Sequence, residues 1–230
     1  MDELRGGIVS DYRHYSYGDD MKKLIMIGAG GHAKSVFDSL DKEQYELVGF
    51  IDSNKVGTHL GLPILGSRIE DVTDFESFSY FVSIGDVYFR KLWFNRLIGM
   101  NLPIINIIDR TAIISPDAKI GIGNFFGKLS IVNSDVVIGN DNIINTKALI
   151  EHECRIGNHN HISTNATVNG AVVMQDCVFF GSAAVVSNGQ IEIGHDSIIG
   201  AGSVVIHDVE PLTTVVGVPA RVIKRRDSNG

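Results

Sequence analysis

The triplet Glu151-His152-Glu153 sets one imidazole between two carboxylates. An unperturbed histidine titrates near pH 6.5, so it can take and return a proton close to neutrality. An acidic neighbour favours the imidazolium and can fix the tautomer. That is the equipment of a general base acting on an amine or a hydroxyl. Adjacent residues of an extended chain point to opposite sides, so only a bend brings a glutamate beside the ring. A second group is Gly28-Ala29-Gly30-Gly31-His32, with Asp52 placed 24 residues after Gly28. Glycines let a backbone approach a phosphate, and a helix that starts after them offers free amides and a positive dipole end. In a dinucleotide fold Asp52 would hold a ribose, so the loop reads for NAD as well as for another nucleotide. No serine or cysteine sits in a nucleophile elbow, and Cys154 reads as inward packing, so direct transfer is preferred to a covalent acyl-enzyme. No CxxC or HExxH spacing suggests a metal, and the two cysteines cannot form a disulfide framework.

The elements that position these groups divide the chain in two. From Lys22 to Ile108 the pattern is α/β. KKLIMIG (22–28) is a short apolar run closed by glycine, as a buried parallel strand should be, and Ala33, Val36, Phe37 and Leu40 follow at helical spacing. YELVGFID (45–52), YFVSIGD (80–86) and LPIINIID (102–109) read as three more strands, with a helix-like stretch to Met100. Four strands amount to about half of a doubly wound dinucleotide fold, too little for a complete two-lobed NAD site.

After Asp109 a six-residue period takes over. From Ile114 to Val186 every sixth residue is bulky and apolar, thirteen in succession, and after a one-residue slip the series resumes at Ile193, Ile199 and Val205. At 44% apolar composition, thirteen hits by accident have a probability on the order of 10⁻⁵. The second place of each hexad is small or turn-compatible (Gly121, Gly139, Gly157), and the fifth is often small (Ala118, Ala148, Ala166). Helices repeat at 3.6 and strands at 2, so neither alone has period six. Three short strands per turn do, which predicts about five coils of a parallel β-helix with one apolar residue per side turned inward. A solenoid attached to a half-sized sheet argues further against NAD. His152 takes the third place of its hexad and points off the coil.

The hexads, the segment VVGVPARVIKRR (215–226), the loop IGAGGHAKSV (27–36) and IEHECRIGNHNHIS (150–163) together resemble one family. It is that of the left-handed β-helix acetyltransferases acting on bacterial nucleotide aminosugars, with close relatives known as sialic acid O-acetyltransferases. The resemblance spans residues 22–226 and implies an α/β half-Rossmann domain followed by an all-β left-handed solenoid. It also implies a homotrimer with acetyl-CoA in the groove between neighbouring solenoids. The organisation expected is a disordered leader at 1–20, a nucleotide-sugar-binding domain at 21–110, the β-helix at 111–226 and a tail at 227–230. By resemblance His152 is the general base, Glu153 orients it, and Asn145 holds the sugar or the base. His161, nine residues beyond His152, donates to the thioester carbonyl, and Gly181, Ser182 and Gly200 pass close to the pantetheine and adenine of acetyl-CoA. Gly30, Gly31, His32, Asp52, Ser53 and Gly85 line the nucleotide-sugar pocket. His159 and His195 read as surface histidines.

The activity implied is acetyl transfer from acetyl-CoA to the C4 amine of a nucleotide-linked, UDP-borne amino-dideoxy sugar, feeding bacterial glycan assembly. The alternatives are O-acetylation of a sialic acid and a non-catalytic trimeric scaffold. A net charge of −7 argues against nucleic acid as partner, because phosphate neutralisation needs a basic face. Four basic and ten acidic residues lie between 111 and 220, so Arg221, Lys224, Arg225 and Arg226 form a distinct basic end able to steer CoA phosphates. No run of 18 apolar residues could span a membrane and the first 20 residues lack a signal-peptide core, which reads as a cytoplasmic protein.

Overall fold

The computed structural model describes residues 21–226, and the expected leader and tail lie outside them. Strand β1 (Lys22–Ile27) buries its last four residues, and helix α1 (Gly31–Asp38) returns over it on Ala33 and Val36. Strands β2 (Tyr45–Ile51), β3 (Thr58–His59), β4 (Leu62–Gly66) and β5 (Ser79–Val82) complete a sheet of order β3-β4-β2-β1-β5. β2 and β5 flank β1 in parallel. Helix α2 (Val87–Gly99) covers the second side, capped by the Asp86 carboxylate, which accepts from the Phe89 amide at 3.1 Å.

The stretch 102–109 is not a fourth strand of this sheet. Ile104 makes a single bridge to Tyr80, and Ile107–Ile108 pairs with Phe125–Phe126 as the first rung of the solenoid. Pro103 has no N–H to continue a ladder and contributes only its carbonyl, which accepts from Tyr80 N at 2.8 Å.

The hexads coil into a left-handed parallel β-helix with three faces and an 18-residue turn. The first face carries Ile107–Ile108, Phe125–Phe126, Ile143–Ile144, His161–Ile162, Phe179–Phe180 and Ile198–Ile199. The second runs from Ile113–Ile114 through Leu149–Ile150 to Val204–Val205, and the third from Lys119–Ile120 to Glu192–Ile193. The inward residue of every rung from Ile120 to Val205 is 3% exposed or less, while Ile114 at the open end is half-buried. The one-residue slip is a bend around Gly189, whose φ of 124 only glycine adopts readily.

Two features hold the corners. The fourth place of each hexad from Gly123 to Ala183 lies in the left-handed region, at φ between 55 and 74, whatever its side chain. Along the corner between third and first faces, the side-chain oxygens of Asn106, Asn124, Asn142 and Asn160 each accept the amide 18 residues on, at 2.7–2.8 Å. The second-place glycines answer to crowding: a Cβ on Gly121, Gly139 or Gly157 would stand under 3 Å from the backbone of the next coil. The sheet unit packs on the solenoid's first face, where Phe125 and Ile143 join Leu24, Met26 and Phe81 in one core.

Candidate active site

The bend required at the Glu-His-Glu triplet exists. Glu153 occupies the left-handed fourth place, φ 61, at the corner between second and third faces. Its carboxylate therefore folds back on its neighbour, with Oε2 3.1 Å from His152 Nδ1. An ionised carboxylate can only accept, so Nδ1 carries the proton and Nε2 presents its lone pair. The ring is half-exposed, with its side chain 54% accessible. One coil further on, Gly170 lies beneath it: a Cβ there would stand 2.7 Å from His152 Cε1 and 2.8 Å from Nε2. Cys154 is buried, its Sγ donates to the Asn169 carbonyl at 3.1 Å, and burial pushes the thiol up to about 11. A neutral, enclosed thiol is a poor nucleophile, in keeping with the packing role.

His161 stands elsewhere. It is on the first face, opposite the corner that carries His152 in a three-sided coil. Asn145 Nδ2 donates to its Nε2 at 3.3 Å, and Phe179 lies edge-on at 5.2 Å. His32, from the glycine loop, faces it with ring centroids 6.4 Å apart. Burial first, then the Arg90 charge, lowers His161 to about 4, with a backbone carbonyl at Gly85 opposing. Burial, then His161, then Arg90 lowers His32 to about 3. Both rings are neutral near pH 7, and His32 Nε2 is buried without a partner. One chain thus assembles Asn145, His161, His32 and Gly85, but leaves His152 and Glu153 apart from them.

The glycine loop is open where a ligand would need it. Gly30 caps α1 without a side-chain bond, and a Cβ on Gly30 or Gly31 would meet nothing within 4 Å. Gly28 is different: its φ is 97 and a Cβ would strike Ile84 Cγ1 at 2.5 Å. Asp52 organises the loop, accepting from Ala29 N at 2.8 Å and Asn54 N at 2.9 Å. Ser53 is exposed beside it. Lys55 Nζ donates to the Ala29 carbonyl at 2.5 Å, and both Lys55 and Lys34 act on partly buried His59, which burial chiefly holds below the ordinary imidazole range. Two cations beside free helix amides make an anion-accepting rim. Sequence reasoning missed Lys34, Lys55 and His59, although Lys34 adjoins the loop and the other two follow Asp52, which was a usable signal.

At the far end, Gly181 and Gly200 are explained by packing: a Cβ would stand 2.6 Å from Ile199 O and from Val216 Cγ1, respectively. Ser182 is exposed. Arg221, Lys224 and Arg225 project from a terminal hairpin, Thr213–Val216 with Arg221–Arg225, and Arg226 donates to the Asp196 carbonyl. His195 is exposed and paired with Asp196. His159 is not a surface histidine. It is 7% exposed, with Nδ1 2.8 Å from Asp141 Oδ2 in a buried cluster completed by Arg90. Nothing in the local sequence marks Arg90, which α2 carries into the solenoid corner. Among the described residues no group of three or more His, Cys, Asp or Glu is placed to hold a metal, and no helix is long and apolar enough to cross a membrane.

This architecture recurs in known proteins. Residues 23–97 match the PglD N-terminal domain family. The acetyltransferase domain of PglB from Neisseria gonorrhoeae is 28% identical, covers 88% of this chain and 100% of its own, and superposes with a TM-score of 0.84. It has also been solved with acetyl coenzyme A. PerB from Caulobacter crescentus, solved with CoA and GDP-perosamine, is 29% identical over 89% of this chain and 99% of its own, TM-score 0.81. The chain is similar over nearly all its described length to hexapeptide-repeat acetyltransferases, and its first unit matches a PglD N-terminal domain. Serine acetyltransferase of Escherichia coli K12 is 45% identical over 56 residues, 24% of this chain and 20% of that enzyme. The chain spans about a fifth of the length of the curated relatives it matches. PglB's domain and the serine enzyme are acetyltransferases by name, and the PglB and PerB structures hold acetyl coenzyme A and CoA, respectively.

Proposed function

We propose that the protein transfers acetyl from acetyl-CoA to the C4 amine of a nucleotide-linked amino-dideoxy sugar for bacterial glycan assembly. The observation that carries this reading is the contact of His32 with His161 at 6.4 Å, where the glycine loop opens onto the coil. A nucleotide held at Gly30, Gly31, Asp52 and Ser53 would extend its sugar past His32 and Gly85 toward Asn145. A free sialic acid has no nucleotide to use that loop, which favours N- over O-acetylation, and an intact His152–Glu153 pair favours an enzyme over a scaffold.

The working unit is a homotrimer. The second face turns Ile113, Ile131, Leu149, Thr167, Val185 and Val204 outward without a single charge, Ile113 exposed and the others half-buried. Three prisms that turn this face to a common axis set the corner of His152 against the neighbour's corner of Asn145, a head-to-tail contact that closes as a ring. The halves of the site then meet between subunits, with acetyl-CoA in the groove beside Gly181, Ser182 and Gly200.

In the reaction the amine lone pair attacks the thioester carbonyl and His152 Nε2 takes the ammonium proton, while Glu153 steadies the imidazolium through Nδ1–H. On substrate binding the thioester carbonyl takes the place of Asn145 Nδ2 at His161 Nε2, and the neutral ring, now in its Nε2–H tautomer, donates to the developing oxyanion. Collapse breaks the carbon–sulfur bond, and the thiolate recovers the proton from His152.

The test is thiol release from acetyl-CoA with UDP-, dTDP- and GDP-linked 4-amino sugars and with free sialic acid. UDP is the first carrier expected, and the GDP-perosamine bound to PerB makes GDP the second. Turnover with one nucleotide aminosugar, reduced about 10² to 10⁴ by His152→Ala, is the expected result. Turnover on sialic acid alone would replace it with the O-acetyl reading.

A further inference from the structure

We propose that Arg90 is a positioning residue for the acyl-transfer site: its buried guanidinium clamps the 84–86 turn to the 159–161 corner and so sets His32 opposite His161. The proposal rests on the acetyltransferase reading above, but the clamp is visible without it. Arg90 is 1% exposed. Arginine is almost never fully buried unless paired, since desolvating an ion costs several kcal/mol. Asp141 Oδ2 lies 3.3 Å from Nε, and five backbone carbonyls accept from the same guanidinium.

Those carbonyls divide by fold unit. Nη1 donates to Gly85 O at 3.1 Å and Ile84 O at 3.4 Å, in the turn that faces the glycine loop. A Cβ on Gly85 would lie 3.6 Å from His32 Cβ, so a displacement of this turn is felt at His32. Nη2 donates to His159 O at 2.7 Å and Asn160 O at 3.2 Å, and Nε to Asp141 O at 3.1 Å. Asn160 is bonded directly to His161 in the chain. The planar fork therefore fixes the separation between the two backbones that carry the facing imidazoles. Lysine, a point charge with rotatable donors, has no such fork.

The same cation acts on the rings it positions, adding to burial in holding His161 and His32 neutral. His161 faces Asn145, Phe179, His32, the Gly85 backbone and Arg90; His32 faces Phe125, His161 and Arg90. Asp141 and His159 are bonded to Arg90 and to each other, and Cys177 and Asp86 are the further ionisable groups that act on the guanidinium.

Full-length Arg90→Lys and Arg90→Gln chains test this, read by kinetics with the accepted aminosugar and by NMR titration of His32 and His161. Both variants should lose about 10- to 100-fold in kcat/KM, the scale expected for a displacement near 1 Å. Arg90→Gln should also raise both titrations and move the acid limb of the pH–rate profile upward, whereas Arg90→Lys leaves them low. A folded Arg90→Lys with unchanged kcat/KM, or an Arg90→Gln with unmoved titrations, overturns the proposal. Should neither variant fold, Asp141→Asn keeps the carbonyl fork, removes its countercharge and exchanges the carboxylate at His159 Nδ1 for an amide. It should push both titrations further down, and unmoved titrations there also overturn the clamp. A wild-type chain inactive on every acceptor would instead refute the acetyltransferase reading, leaving the titrations informative.

Discussion

At the scale of the residue, three histidines hold three different protonation environments. His152 stands half in solvent with one nitrogen tied to Glu153. His161 and His32 are enclosed and lowered to about 4 and about 3, against 6.5 in an unfolded chain. The unfolded chain therefore binds more protons than the folded one between these values. Their stabilising effect is complete above pH 6.5 and is lost as pH falls toward 4 for His161 and 3 for His32. Urea unfolding between pH 7 and 4 should show stability falling by up to about 1.4 kcal/mol per pH unit for each group, and His161→Asn should remove one share of that slope. The triplet at 151–153 was plain in the sequence, but its geometry was not, because it depends on the left-handed φ of Glu153 and on the bare Cα of Gly170. Gly170→Ala should displace the His152 ring and lower kcat about tenfold or more. In a His152→Ala background, where the Cβ has room, the same substitution should cost nothing further in activity or melting temperature. Equal losses of melting temperature in both backgrounds would assign Gly170 to coil packing instead.

At the scale of the element, the hexad was legible because one inward residue per side must be apolar, and burial follows that rule to the last coil. The fourth place left no mark in composition. Leu129, Asp135, Lys147, Glu153, Asn165 and Ala171 all take the left-handed conformation, which disfavours most side chains but is enforced by the ladders on both sides. The asparagine ladder is a similar device. Asn142 Oδ1 accepts Asn160 N, while its Nδ2 donates to Gly157 O at 2.9 Å and Asn124 Oδ1 at 3.0 Å. Asn142→Ala strips Asn160 N and Gly157 O of this partner, while Asn124 Oδ1 keeps the amide of residue 142, and should cost about 2–6 kcal/mol in urea unfolding, at about 1–3 per orphaned group. The stretch 102–109 misled as a strand because its apolar residues serve two units: Ile104 touches the sheet, and Ile107 begins the coil.

At the scale of the molecule, the three faces of the solenoid have different surroundings. The first is covered by the sheet unit as far as Ile143, the third mixes Lys119, Arg155 and Glu192 with valines, and the second is uncharged from Ile113 to Val204. A strip of this length without a charge suits a contact surface better than a solvent face, in line with the proposed trimer. If the proposed trimer forms, light scattering should give three chains for the wild type and one for Ile131→Glu, at the middle of that strip, with turnover abolished and the β-helix circular dichroism intact. A monomer at full activity would show that one chain holds a complete site.

The amino-acid sequence by itself determined the two-part architecture, the coil, and the residue types of the candidate base and the phosphate loop. Each depends on short-range rules: inward apolar residues at period six, glycines at a strand-to-helix turn, and an imidazole beside a carboxylate. Only the tertiary structure decided that His161 and His32 face each other, that Arg90 is buried between the two units, and that His152 lies across the coil from both. Those facts depend on which backbone carbonyls and corners meet after the sheet docks on the solenoid, between residues 50 or more positions apart, and no local pattern encodes such a meeting.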